Sequence, residues 1–111
     1  MKTSLKRVIK QLGMTNFVVM ISNPGQGYVI DMLGETVLCY DVYDEHSAHW
    51  IISEKIQQLF YDVEIEILKQ ADIVFASARN LMEKKKSINP NTHFVPNAAD
   101  FTFFSKTLDP E

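Results

Sequence analysis

The sequence predicts an α/β protein: an open, mostly parallel sheet of about four strands with helices on both faces. Two observations carry that expectation. Short β-branched apolar runs alternate with amphipathic stretches along the whole chain, and one run, FVVMIS, is apolar up to its closing serine, as in a strand buried on both sides. The 111 residues suit a single small domain, and 46% hydrophobic content is enough for a packed core.

Leu5, Val8, Ile9 and Leu12 recur at helical spacing, so Thr3–Leu12 reads as an amphipathic helix stopped by Gly13. Phe17–Ser22 is the first strand, broken by Asn23-Pro24-Gly25, and Gly27–Leu33 reads as a short helix ended by Gly34. Thr36–Tyr40 is the second strand and Asp41–Trp50 a polar loop. Ile52, Ile56, Leu59, Phe60, Val63 and Ile67 then form one stripe of a long helix. Ile73–Ala76 is the third strand. Ser77 is placed to cap a helix that ends in Lys84–Lys86, whose charges suit a helix C-terminus and read as a solvated end. Thr92–Val95 is a fourth strand, ended by Pro96.

In an open parallel sheet, ligands bind beyond the carboxyl ends of the strands. The segments Ser22–Gly27, Asp41–Trp50, Ser77–Arg79 and Pro96–Asp100 all fall on that edge. The densest polar cluster is Asp41, Asp44, Glu45, His46 and His49. It admits three readings: a divalent-cation site, a pocket in which Asp41 hydrogen-bonds or deprotonates a hydroxyl, or a solvated loop with Asp44 or Ser47 capping the next helix. The Asp-Val-Tyr-Asp spacing is not a recognised ligand pattern, so no metal is expected. Asn23–Gly27 is neither a dinucleotide fingerprint nor a P-loop, and an ordinary turn is the simpler reading. Arg79 stands at a helix start, where it can meet an anionic group or a local carboxylate. Trp50 reads as a half-buried aromatic or a sugar-stacking platform, and Cys39 as core packing.

A net charge of −3 offers no field to attract nucleic acid. The longest apolar run, Phe17–Ile21, is far short of a transmembrane segment. The lone Cys39 suggests a reduced, cytoplasmic setting.

Three stretches together resemble one family. Tyr40–Glu45 (YDVYDE), Ala71–Leu81 (ADIVFASARNL) and Phe94–Asp100 (FVPNAAD), the last followed by Phe103-Phe104, are similar in order and spacing to segments of bacterial GT-B-fold glycosyltransferases of the group 1, family 4-like branch. The resemblance runs from about Asn16 to Phe104. It implies a Rossmann-like fold and the later part of the N-terminal, acceptor-side domain. The donor domain that holds the nucleotide-sugar would be missing. It further implies sugar transfer to a glycan, lipid-linked or cell-envelope acceptor, with no cofactor. The setting would be cytoplasmic, at the inner face of the membrane for the full enzyme. By position, Asp41 lies where many relatives place an active-site histidine, Asp44 and Glu45 share its loop, and Asn97 and Asp100 match the closing segment. These last four, with Arg79 taken from its place at a helix start, are the candidate substrate-binding residues. Ala98 and Ala99 replace the usual glycine and valine, and Ala78 the usual second serine.

Two other classes fit the pattern: a small flavodoxin-like binding or regulatory module with an acidic pocket, and an interaction domain that keeps the fold without the chemistry. Against the first, strand four ends in Pro96-Asn97 with no lysine. If the domain's earlier half is missing, Phe17–Ser22 becomes an unprotected sheet edge, and self-association through it or through Thr3–Leu12 is expected.

Overall fold

The computed structural model describes residues 2–45 and 53–105. The chain runs α1 (Lys2–Gln11), β1 (Val18–Ile21), a 3-10 helix (Pro24–Val29), β2 (Val37–Val42), α2 (Glu54–Gln70), β3 (Ile73–Ala76), α3 (Arg79–Lys86), β4 (Thr92–Phe94) and α4 (Phe101–Ser105). The four strands form one all-parallel sheet in the order β1-β2-β3-β4, the open α/β arrangement the alternation predicts.

Sequential order has a geometric consequence. Right-handed crossovers that always step the same way leave their connecting segments on one side of the sheet. The buried cluster agrees: it joins Ile21, Leu38, Tyr40, Val42, Val74 and Ala76 to Val29 of the 3-10 helix, Ile67 and Leu68 of α2, and Leu81 of α3. Leu5 of α1 packs against the same cluster. Strand residues alternate between faces, so Val18, Met20, Val37, Cys39, Asp41, Ile73, Phe75 and His93 belong to the other face. There Val18 and Met20 are 57% and 59% exposed. Among the described residues, helices therefore cover one face of this sheet, where the sequence pattern led us to expect both.

Other boundaries moved for identifiable reasons. The second strand continues through Asp41 and Val42 because both pair with β3, opposite Phe75 and Ala76. In place of the expected Gly27–Leu33 helix stands a tighter 3-10 turn that begins earlier, Pro24–Val29. Asn23 caps that turn, with Gln26 reaching back to the Asn23 N–H. Gly27 lets this turn pack closely on α2, where a Cβ would lie 3.2 Å from Ile67 Cδ1. The α2 stripe is buried only towards its C-terminal end: Ile67 is in the core, whereas Ile56 and Leu59 are exposed. Ile52 and Trp50 lie outside the described residues. Among the described residues no helix is long and apolar enough to cross a membrane.

Polar side chains fasten the amino-terminal edge of the sheet. Asp72 Oδ2 accepts the Leu38 N–H at 2.7 Å. Buried Asn89 donates from Nδ2 to the Leu68 and Ala71 carbonyls at 2.9 and 2.7 Å, closing the end of α2.

Candidate functional site

The segments after β2, β3 and β4 lie together at the carboxyl edge. The Ser77 N–H donates to the Val42 carbonyl and the Ser77 hydroxyl to the Tyr43 carbonyl, both at 3.1 Å. The Val95 N–H donates to the Ala76 carbonyl at 2.9 Å, and the Arg79 guanidinium lies 4.7 Å above the Phe94 ring. Ser77 thus stitches two loops together and does not cap α3, whose N-cap residue is Ala78 with no side-chain cap bond. Nor does Asp44 cap α2, where the N-cap residue is Ser53. Asp44 Oδ1 instead accepts the Glu45 N–H at 2.8 Å.

The six residues singled out by sequence separate into groups. Asp41 sits inside β2 on the uncovered face. Glu45 turns to the helical side. Arg79 stacks on Phe94. Asn97 is exposed, and Asp100 Oδ1 accepts the Phe103 N–H at 2.9 Å, which starts α4. Asp41 and Glu45 are therefore divided by the sheet and do not form one carboxylate cluster. His46, Ser47 and His49 lie outside the described residues. Among the described residues no three His, Cys, Asp or Glu groups are placed to hold a metal ion. The Asn23–Gly27 turn uses its own donors: Gln26 Oε1 accepts the Ser22 and Asn23 N–H groups, and Asn23 Oδ1 the Gly25 N–H. That makes it a self-satisfied turn, with those donors turned inward.

The strongest polar feature is one that sequence reading assigned to solvent. Lys85, in the lysine run, is 5% exposed. Its ammonium donates to Glu64 Oε2 at 2.9 Å and to Glu45 Oε1 at 2.8 Å. Glu64 is 1% exposed, and its other oxygen accepts the Tyr40 hydroxyl at 2.9 Å. Lys84 reaches Glu45 Oε2 at 3.3 Å. One lysine thus ties together β2, α2, α3 and the loop after β2. Burial works to raise the Glu45 carboxyl, but its bonds to Lys85 and Lys84 prevail and hold it below the ordinary carboxylate range. Burial works to lower Lys85, and its two carboxylate partners overcome that and hold it above the ordinary lysine value. Tyr40 is pushed far up by burial and by the Glu64 charge, so it stays a neutral donor.

No protein-family model matches the chain, and neither a curated protein nor a solved structure matches it.

The buried network left a trace in the sequence. Lys85 lies four residues after core Leu81, and Glu64 lies four after Phe60 and three before core Ile67. Both charges occupy core-facing positions of their helices.

Proposed function

We propose that this chain is the later part of the acceptor-side domain of a GT-B-type glycosyltransferase. Such an enzyme moves a sugar from a nucleotide-sugar to a glycan, lipid-linked or cell-envelope acceptor. The observation that carries the reading is the meeting of the three resembling stretches at one edge. The Ser77 hydroxyl bonds the Tyr43 carbonyl there, and Arg79 stacks on Phe94 beside it in sequence and strand order. The parallel sheet and its ligand-binding edge are what the reading requires.

In the transfer, the anomeric carbon–oxygen bond to the diphosphate breaks and a bond to an acceptor hydroxyl forms. The hydroxyl loses its proton and the nucleoside diphosphate leaves. In this proposal Asp41 accepts or orients that proton, and Asp44, Arg79, Asn97 and Asp100 belong to the acceptor side, while Glu45, held by Lys84 and Lys85 on the helical side, stands apart from Asp41. The groups that stabilise the departing diphosphate belong to the donor domain, so this chain alone is inactive. The full enzyme would work in the cytoplasm at the inner membrane face. The isolated chain would self-associate through β1, an edge strand in the described sheet.

Titrating the chain with neutral oligosaccharides and with uridine diphosphate, followed by amide NMR, tests this. Saccharide shifts at Ser77, Arg79 and Asn97, with no nucleotide binding, support it. Turnover of a nucleotide-sugar by the 111-residue chain overturns it. With a donor domain supplied, Asp41→Asn should lower transfer more than Asp62→Asn on α2, and equal activities would remove Asp41 from the site.

A further inference from the structure

A groove of about 610 Å³ runs between α2 and α3 on the helical side of the sheet, away from the uncovered face that carries Asp41. Tyr61 and Ile65 form one wall, Lys84, Ser87 and Ile88 the other, and Glu45 closes it. The volume falls within the roughly 300–1,000 Å³ of small-molecule sites.

We propose that this groove binds a neutral saccharide. The argument begins with charge. The ammonium groups of Lys84 and Lys85 are matched by the carboxylates of Glu45 and Glu64, all joined in one chain of contacts. Among the described residues these two ammonium and two carboxylate groups cancel, so they offer little net field to a phosphate or a metal cation. It offers fixed acceptors and donors, which suit a ligand that carries hydroxyls and no charge.

Preorganisation is the second element. Lys85 is anchored on Glu64 and holds Glu45 Oε1 at 2.8 Å, so the carboxylate is oriented before any ligand arrives. Lys84 is 63% exposed and its contact with Glu45 is the longer one, at 3.3 Å. It is the arm that can swing to a hydroxyl at small cost.

An aromatic surface is the third. Tyr61 is 49% exposed, and a phenol ring presents an apolar face of the kind that packs on the C–H face of a sugar ring. Ile65 and Ile88 extend the apolar wall. The groove therefore pairs one apolar wall with a row of polar groups, as a pyranose pairs a C–H face with equatorial hydroxyls. The assignment rests on the glycosyltransferase reading for its ligand class and extends the role of the β2–α2 loop to the loop's helical side.

The experiment is an amide NMR titration of the chain with glucose, N-acetylglucosamine, maltose, inorganic phosphate and uridine diphosphate. Saturable shifts at Tyr61, Ser87 and Ile88 with a sugar are expected. Tyr61→Ala should weaken that binding about tenfold and Tyr61→Phe less than about threefold, the former being the loss of one good contact. Tyr61 is exposed, so neither change endangers the fold. Shifts at Ser77 and Asn97 with none at Tyr61 overturn the groove and leave the carboxyl-edge reading standing. Shifts at Tyr61 with none at Ser77 or Asn97 do the reverse. Phosphate acting in place of the sugars, unchanged binding by Tyr61→Ala, or silence at tens of millimolar sugar overturns the groove.

Discussion

Replacing Lys85 with methionine removes the one positive charge shared by Glu64 and Glu45. The chain length and apolar volume are roughly kept, so packing changes little. Glu64, 1% exposed, is left with the Tyr40 hydroxyl and an uncompensated carboxylate in the core. Breaking a buried ion pair from one side costs about 3–5 kcal/mol, because the remaining charge stays desolvated. Against the roughly 5–15 kcal/mol of total stability usual for a domain, that is a large fraction. With a urea slope of about 1–3 kcal/mol per molar, the midpoint should fall by roughly 2 M, read by far-ultraviolet circular dichroism. The double variant Lys85→Met with Glu64→Met should recover most of the loss, since an apolar pair replaces an ionic one. A Lys85→Met loss under about 1 kcal/mol, or a double variant no better than the single, would refute the assigned network.

The same network sets a pH profile. Glu45 is held low in the folded chain, so its contribution is present above the ordinary glutamate value of about 4.3 and is lost as pH falls through the folded value. Lys85 and Tyr40 are held high, so their contributions are complete below about pH 10 and are lost as pH rises beyond it. The urea midpoint should therefore be flat between these limits, and a steep slope near neutrality would count against the assignment. Asn89→Ala removes two buried donors to the end of α2 and should cost about 1–3 kcal/mol by the same denaturation assay, with a neutral result excluding that cap. Val19→Lys should destabilise by several kcal/mol because Val19 packs on the core, whereas Met20→Lys on the uncovered face should stay within about 0.5 kcal/mol. Equal effects would mean the faces are misassigned. Sedimentation of Met20→Lys beside the parent chain also tests association through β1, which the added charge should weaken.

Much of the architecture was legible because periodicity is local. The runs at Phe17, Thr36, Ile73 and Thr92 each produced a strand, and parallel pairing followed from the helices between them. What escaped was set by partners distant in sequence. Asp41 read as loop because nothing near it marks the pairing with Phe75, 34 residues later. Ser77 read as a helix cap because that is the commonest local use of a serine there, yet its hydroxyl was claimed by Tyr43. Lys85 read as solvent-facing because it sits in a lysine run, and composition hid the inward position it shares with Leu81. The carboxyl-edge loops were found from their place after the strands. The groove beside Tyr61 was not, since its walls come from two helices and a loop that only the fold brings together.

The uncovered sheet face bears on how this chain chooses its inside from its outside. In most half-covered sheets, polar residues at alternate positions mark the outer side. Here Val18, Met20, Val37, Ile73 and Phe75 face outward, so greasiness alone would serve nearly as well with the sheet turned over. Crossover handedness chooses the side that carries the helices, and the sparse polar groups lock that choice. Tyr40 can reach Glu64 only if its strand presents that side to α2, and turning β2 over would strand both groups away from each other. The phenol and the carboxylate thus hold β2 to the side that the right-handed crossovers select, and the aliphatic side chains fill that side.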